Sequence, residues 1–216
     1  MTDAVASAAM KTLNPSEQSP QDTYKLLVGA VVPRPIAFVS SLDAQGVRNL
    51  APFSFFTVAS ANPPIVCFCP MVRGASKGGL QSTKDTLRNI LATREFVVNI
   101  VSEEFAAKMN ACSGDYPPEV DEFAVAALTP LDSEVVHPPR VAESHVQMEC
   151  RLEQVVHVST EPLGGSLVLG RVLRFHIRES VLDNFRIDPD KLHAIGRMAG
   201  STYARTTDRF DMERPK

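Results

Sequence analysis

His145-Val-Gln-Met-Glu-Cys-Arg-Leu-Glu-Gln-Val-Val-His-Val158 is the stretch that decides the fold class. Val146, Met148, Cys150, Leu152, Val156 and Val158 alternate with Gln147, Glu149, Arg151, Glu153 and His157, the period-2 pattern of a strand with one buried and one polar face. A turn at Glu161-Pro-Leu-Gly-Gly165 leads into a second run, in which Leu167, Leu169, Leu173, Phe175 and Ile177 share a face and Gly170 is read as a bulge. Together they predict an antiparallel hairpin long enough to curl into a barrel wall.

The flanking sequence extends this pattern. Upstream, Pro35-Ile-Ala-Phe-Val-Ser-Ser41 reads as a strand, Leu42-Asp-Ala-Gln-Gly46 as its turn and Val47 onward as the return. Ile65-Val-Cys-Phe-Cys69 and Glu95-Phe-Val-Val-Asn-Ile-Val101 predict further buried strands. Between them the spacing of Leu87, Ile90 and Leu91 predicts a helix over 84–93, capped by Ser82 or Thr83. A second helix is expected after Ser102 as N-cap, with Phe105 and Met109 inward. Strands in sequence with helices between them predict a mainly β protein, a β-barrel of Greek-key type with inserted helices. Residues 1–22 lack periodicity and read as a mobile N-terminal arm; residues 23–216 read as one domain with a C-terminal tail.

Charge narrows the function classes. With 22 Lys and Arg against 25 Asp and Glu, the net charge of −3 lacks the basic excess of a nucleic-acid footprint. The 24 residues from Asn49 to Val72 carry no charge at all, and such a run must be tested as a membrane span. It fails, because Pro52, Pro63, Pro64 and Pro70 break the helix that lipid demands. No basic residue precedes the Ala-rich stretch from Ala4 to Met10, so a signal peptide is not indicated and the expected compartment is the cytoplasm. Cys67, Cys69, Cys112 and Cys150 read as free buried thiols, and the five histidines fall in no zinc-ligand spacing, so no metal site is expected.

Three segments carry the candidate chemistry, although no G-x-G-x-x-G, Walker A or G-x-S-x-G sequence is present. Arg73-Gly-Ala-Ser-Lys-Gly-Gly79 is a basic loop, and Lys84 and Thr86 open the following helix, where free backbone N–H groups and the dipole favour a phosphate. Asn49-Leu-Ala-Pro-Phe-Ser-Phe-Phe56 combines small residues, a rigid proline and rings, suited to lie against a flat polar heterocycle. His193 to Tyr203 is punctuated by glycine and carries Arg197, the make-up of a lid. From composition alone, plainer readings stand beside these: solvated surface charges, a core strand with a proline kink, and a docked tail.

Six ordered blocks shift the balance: Pro33-Arg-Pro-Ile-Ala-Phe-Val-Ser-Ser41 with the turn at Gly46, Asn49 to Phe56, Asn62-Pro-Pro-Ile-Val66, Lys84-Asp-Thr-Leu-Arg-Asn-Ile90, Glu95-Phe-Val-Val-Asn-Ile100, and the tail Gly196-Arg197 to Tyr203. In this order the chain resembles the flavin reductase-like family of flavoproteins over residues 24–205. The resemblance implies a split β-barrel, a homodimer, and FMN or FAD bound near the subunit interface. It places Asn49, Ala51, Pro52, Phe53 and Ser54 along the isoalloxazine with Ser40 and Ser41 nearby, puts Lys84, Thr86, Arg73 and Ser76 on the phosphate, and adds Arg197 and Tyr203 from the tail. The Arg73–Gly79 loop departs from the family pattern in being longer and richer in glycine.

The implied activity is NAD(P)H-dependent flavin reduction, with reduced flavin passed to a monooxygenase or another acceptor and no catalytic side chain required beyond the flavin. An electron carrier that holds FMN tightly without NAD(P)H turnover is the alternative. An OB-like barrel binding single-stranded nucleic acid through Phe53, Phe55 and Phe56 is the third, and it is opposed by the net charge of −3.

Overall fold

The computed structural model describes residues 9–72 and 83–215. Helix α1 (Pro20–Ala30) leads into β1 (Ala37–Leu42), β2 (Arg48–Phe53), β3 (Phe56–Ala61) and β4 (Pro64–Phe68). Helix α2 (Asp85–Thr93), β5 (Glu95–Ile100), α3 (Ala106–Ala111) and α4 (Glu122–Val125) follow, then the short β6 (Pro130–Leu131) and β7 (Arg140–Val141). The long strands β8 (Val146–His157) and β9 (Ser166–Ile177) precede β10 (Leu182–Asp183), β11 (Arg186–Ile187), α5 (Pro189–Leu192), β12 (Ile195–Arg197) and β13 (Tyr203–Arg205).

Seven strands form one antiparallel sheet in the order β2-β1-β5-β8-β9-β4-β3. Its two edges, β2 and β3, are consecutive in the chain and joined only by Ser54 and Phe55. The sheet must therefore bend round until its edges lie side by side without pairing, which makes it a split barrel of the expected mainly β class. Phe53, Phe68 and Phe96 fill the interior, with ring centroids 5.0 Å (Phe53–Phe68) and 5.6 Å (Phe68–Phe96) apart. A second apolar cluster, including Phe38, Leu50, Phe105, Met109 and Phe123, seats α3 and α4 on the outer face of β1 and β2.

The hairpin is where expected, but its pattern of faces is not. Val156 is 40% exposed and Val158 71% exposed, because an extra residue at Glu153 shifts the register against β9 and turns Val155 inward in their place. In β9 the buried face is Val168, Gly170 and Val172, whereas Leu173 and Phe175 face out. The bulge of β9 lies at Leu173; Gly170 is instead a close approach, since a Cβ built there would run into the Phe96 ring. The outer face of β8 is also covered at its start. Glu149 is wholly buried, and its carboxylate accepts the N–H groups of Glu134 and Val135 and contacts His176 at 2.6 Å. Burial pulls the Glu149 pKa upward, but those three partners outweigh it and hold the group below its ordinary value.

Other expectations shift locally. The stretch read as an unstructured arm contains a 3₁₀ turn at Pro15–Glu17 and the first residues of α1, which Ser19 caps by accepting the Asp22 N–H. Helix α2 has Lys84 at its N-cap position with no capping hydrogen bond from the side chain, so Thr83 is not its cap, and Ser82 lies outside the described residues. Leu91 is 44% exposed; the buried face of α2 is Asp85, Thr86, Leu87, Asn89 and Ile90. Ser102 precedes a 3₁₀ turn (Glu103–Phe105) without making a capping bond, its hydroxyl donating to Glu104 instead; α3 follows with Phe105 at its own N-cap position, and Phe105 and Met109 are buried as expected. All four cysteines are free thiols.

The edge strand β2 is blunted by a buried acid. Leu50 points its N–H away from β1 and gives it to Glu122 Oε2 at 3.0 Å, while Pro52, two residues on, has no N–H to leave unpaired. Asn49 Nδ2 donates to Glu122 Oε1 at 2.9 Å, and Asn49 Oδ1 accepts from Thr86 at 2.6 Å and Ser41 at 3.3 Å. These contacts tie α4, β2, α2 and β1 into one polar seam.

Two outcomes test this packing. Gly170→Ala is expected to destabilise the fold by about 1–3 kcal/mol in urea unfolding, and Phe96→Leu in the same chain to recover part of that loss, because the clash is with the ring. Burial is the largest influence on the Glu122 carboxyl and pushes its pKa from an ordinary 4.5 up to about 7. Between those values the folded chain holds more protons than the unfolded chain, so the stability this group contributes is present below the window and is lost as pH rises through it. Unfolding free energy is expected to fall from pH 5 to pH 7.5 by at most about 3 kcal/mol. Glu122→Gln should flatten that slope, and an unchanged slope in the variant would refute the assignment.

Candidate functional site

The end of β2 forms the wall of a cleft. Asn49, Ala51, Pro52 and Phe53 line a shallow depression whose other sides come from Lys84, Asp85 and Thr86 at the start of α2, Cys112 to Gly114 after α3, Tyr116 and Glu122. A second depression abuts it through Pro52 and Ser113 and is lined by Tyr24, Ile36, Ser54, Met109, Asn110, Arg197 and Tyr203. Pro52 can occupy this edge because a proline costs no ladder bond there, and its ring gives the cleft a flat, rigid apolar surface.

The structure brings Ala51, Pro52, Phe53, Ser54, Arg197 and Tyr203 together along this cleft. Asn49 and Thr86 also line the first depression, where they are largely buried (7% and 1% exposed) and bond to each other through their side chains. Ser40 and Ser41 are fully buried; Ser40 donates to the Pro139 carbonyl and Ser41 to Asn49, so neither hydroxyl faces the cleft. Lys84 stands at the start of α2 with Nζ 3.0 Å from Asp115 Oδ1. Arg73 and Ser76 lie outside the described residues.

Arg34, which sequence reasoning did not single out within Pro33-Arg-Pro35, organises the far end. Its guanidinium is buried and donates to the carbonyls of Val28 (2.7 Å), Val31 (2.7 Å) and Met198 (2.9 Å), with Nε 3.4 Å from Ser54 Oγ. Arg34 and Arg197 exchange backbone hydrogen bonds of 3.0 and 2.8 Å, which docks β12 on the Pro33–Arg34 segment. Gly196 permits this approach, since a Cβ there would come 2.8 Å from Pro33 Cβ. The Arg197 guanidinium lies 4.6 Å from the centroid of the Tyr203 ring, and Tyr203 Oη donates to Asn110. Burial lowers the Arg34 pKa, the adjacent Arg197 charge adding to that effect, yet a guanidinium so shifted remains protonated near neutrality.

The donor set fits a phosphorylated flat heterocycle. One end presents Lys84 and the backbone N–H groups of a helix start whose cap side chain makes no capping bond, beside the acids Asp85 and Glu122; the middle is a proline and phenylalanine wall, and the other end carries Arg197. Among the described residues no group of three or more His, Cys, Asp and Glu side chains could hold a metal ion. No helix of the described residues is long and apolar enough to cross a membrane.

Comparison with known proteins agrees with this geometry. The family model of the flavin reductase-like domain matches residues 28–200. Uncharacterized protein BH2278 of Halalkalibacterium halodurans is 38% identical over 94% of this chain and 96% of its own, and uncharacterized protein YwrF of Bacillus subtilis is 37% identical over 91% and 95%. Among solved structures, nitrilotriacetate monooxygenase component B from Bacillus cereus superposes with a TM-score of 0.88 at 39% identity, covering 95% of this chain and 100% of that one. The 2-nitrobenzoate 2-nitroreductase NbaA of Pseudomonas fluorescens gives 0.84 at 30% identity, covering 95% and 96%. A split-barrel-domain chain from Shewanella frigidimarina, at 17% identity and a TM-score of 0.78 over 93% and 96%, shares the fold. With its split barrel, its proline-walled cleft and a family match spanning most of its length, the chain belongs to the flavin reductase-like domain family.

Proposed function

We propose that the protein is an NAD(P)H-dependent flavin reductase working on FMN or FAD. The observation that carries this reading is the cleft itself, a flat charge-free wall of Ala51 to Ser54 with a helix N-terminus at one end and Arg197 at the other. A bound flavin would supply the hydride acceptor. The chain's own residues would position it: Pro52 and Phe53 against one ring face, Ser54 at the ring edge, and Lys84 with the first N–H groups of α2 on the phosphate. Asn49 would reach the ring and Thr86 the phosphate from the first depression, while the buried Ser41 would act from below by bonding to Asn49. Arg73 and Ser76 belong to the same proposal as further phosphate contacts. Tyr203 and Arg197 would shield the ring from water on the side of the tail.

Three further parts belong to this reading. The likeness to a monooxygenase component B at 39% identity supports a monooxygenase as recipient of the reduced flavin. An apolar groove beside the cleft, lined by Leu27, Val31, Phe55, Phe56 and Leu167, with Leu27 55% and Val31 59% exposed, supports a homodimer formed over that face. Four free thiols suit the reducing cytoplasm.

Purified protein mixed with FMN is expected to show a shifted flavin absorbance and to oxidise NADH or NADPH above the background rate. Tight FMN without turnover would instead mark an electron carrier. Lys84→Ala is expected to weaken FMN about tenfold and riboflavin little, since only FMN carries the phosphate and a charge-assisted contact contributes about 1.5 kcal/mol or more. Equal losses for the two ligands would remove Lys84 from the phosphate site. Val31→Glu should convert a dimer to a monomer in sedimentation velocity, and a wild-type monomer would refute the dimer.

A further inference from the structure

Arg34 and Arg197 bring two guanidinium groups to the end of the cleft formed by the tail. They stand directly opposite one another in a hydrogen-bonded antiparallel pair, where like charges destabilise. Among the described residues no carboxylate pairs with either guanidinium: Arg34 bonds to three carbonyls and reaches toward Ser54, and Arg197 donates to the Gly200 carbonyl and lies over Tyr203. Two of the carbonyls belong to the end of α1, whose dipole offers roughly half a negative charge to Arg34. The pair keeps a net charge of well over one. Arg171 and Arg205 each find an acid, Glu153 and Glu103, whereas Arg178, like Arg34, donates to a carbonyl. A buried cation left without an acid is costly unless a ligand completes it.

The charge change of the reaction supplies such a ligand. A hydride carries two electrons and one proton, so its transfer from a reduced nicotinamide to a neutral oxidised ring leaves one net negative charge on the acceptor and one positive charge on the donor. No other proton is needed. We propose that the Arg34–Arg197 pair is the electrostatic counterpart of that charge, so that the cleft binds the reduced, anionic flavin more tightly than the oxidised one. Arg197 faces the cleft from the tail, while Arg34 is a positioning residue that acts through its field and through Ser54, and holds α1 and the Met198 turn against the cleft. This rests on the flavin reading of the site, and it adds a direction: the cleft retains product until an acceptor draws it away.

The test is a potentiometric titration of FMN with the full chain at pH 8 and low salt, read by absorbance, with oxidised FMN affinity measured separately. Reduced FMN is expected to bind at least tenfold more tightly than oxidised FMN, which for a two-electron couple is a potential about 30 mV or more above that of free FMN. Arg197→Gln should lose most of that preference while changing oxidised FMN affinity much less, and Arg197→Lys should keep most of it. Arg34→Met removes three carbonyl contacts and is prone to misfold, so Arg197→Gln decides the matter. A bound potential equal to or below that of free FMN, or one that is the same in wild type and Arg197→Gln, overturns the proposal while leaving the flavin site intact. Failure to bind FMN in either oxidation state overturns both.

Discussion

Everything in this structure follows from one topological constraint: the first and last strands of the sheet, β2 and β3, are joined by only two residues. Seven strands must therefore bend until their edges face each other. The long strands β8 and β9 absorb the bend with an extra residue at Glu153 and another at Leu173, the places where bulges raise local twist. Gly170 lets Phe96 fill the narrowed interior. Because β2 remains an edge, its outward N–H groups need an answer, and Glu122 and Pro52 provide two different ones. The cleft is the space left between that edge and the helices that cover it, so closing the barrel and making the site are the same event.

This explains which parts of the molecule were legible in the sequence. Alternation over His145–Val158 located the hairpin, because a strand's period is a local property of the chain. It did not locate the faces beyond Leu152, since one inserted residue reverses every side chain after it and bulges respond to curvature, which is not local. Glu149 was read as a solvent-facing residue for a related reason. The segment that buries it, residues 132–140, comes from an irregular loop that no periodicity marks, and the carboxylate serves as the loop's anchor. Helix α1 was missed because its only apolar residues are Leu26, Leu27, Val28 and Ala30 near its end, and of these only Val28 is buried.

The site divides in the same way. Residues Ala51 to Ser54 were legible because small, rigid and aromatic residues without charge are unusual together, and they do form a cleft wall. Asn49, Ser40, Ser41 and Thr86 were legible as polar residues in the right blocks; Asn49 and Thr86 do line the first depression, but the hydrogen bonds of Ser40 and Ser41 place them behind the wall. Glu122 and Arg34 carried no motif. Each is recognisable only by what it lacks once folded, water in one case and an acidic partner in the other.

The two residues are complementary in a further respect. The charge-free run from Asn49 to Val72 means that the wall of the cleft contributes no field of its own. Charge reaches the wall from outside that run, with Glu122, Asp85 and Lys84 around the first depression and Arg197, backed by Arg34, around the second. The first depression thus carries both signs, with Asp85 paired to Arg88 and Glu122 pushed toward neutrality by burial, whereas among the described residues Arg197 is the one charged residue lining the second. That one-sided charge is present before any ligand arrives, and it counts for more where a bound ligand excludes water. An elongated ligand whose charge changes at one end only would feel that asymmetry as a preference for one of its oxidation states. The absence of charge in the run from Asn49 to Val72 is thus part of the electrostatics of the site: it leaves the fields from the two ends unscreened by any ionised group on the surface between them.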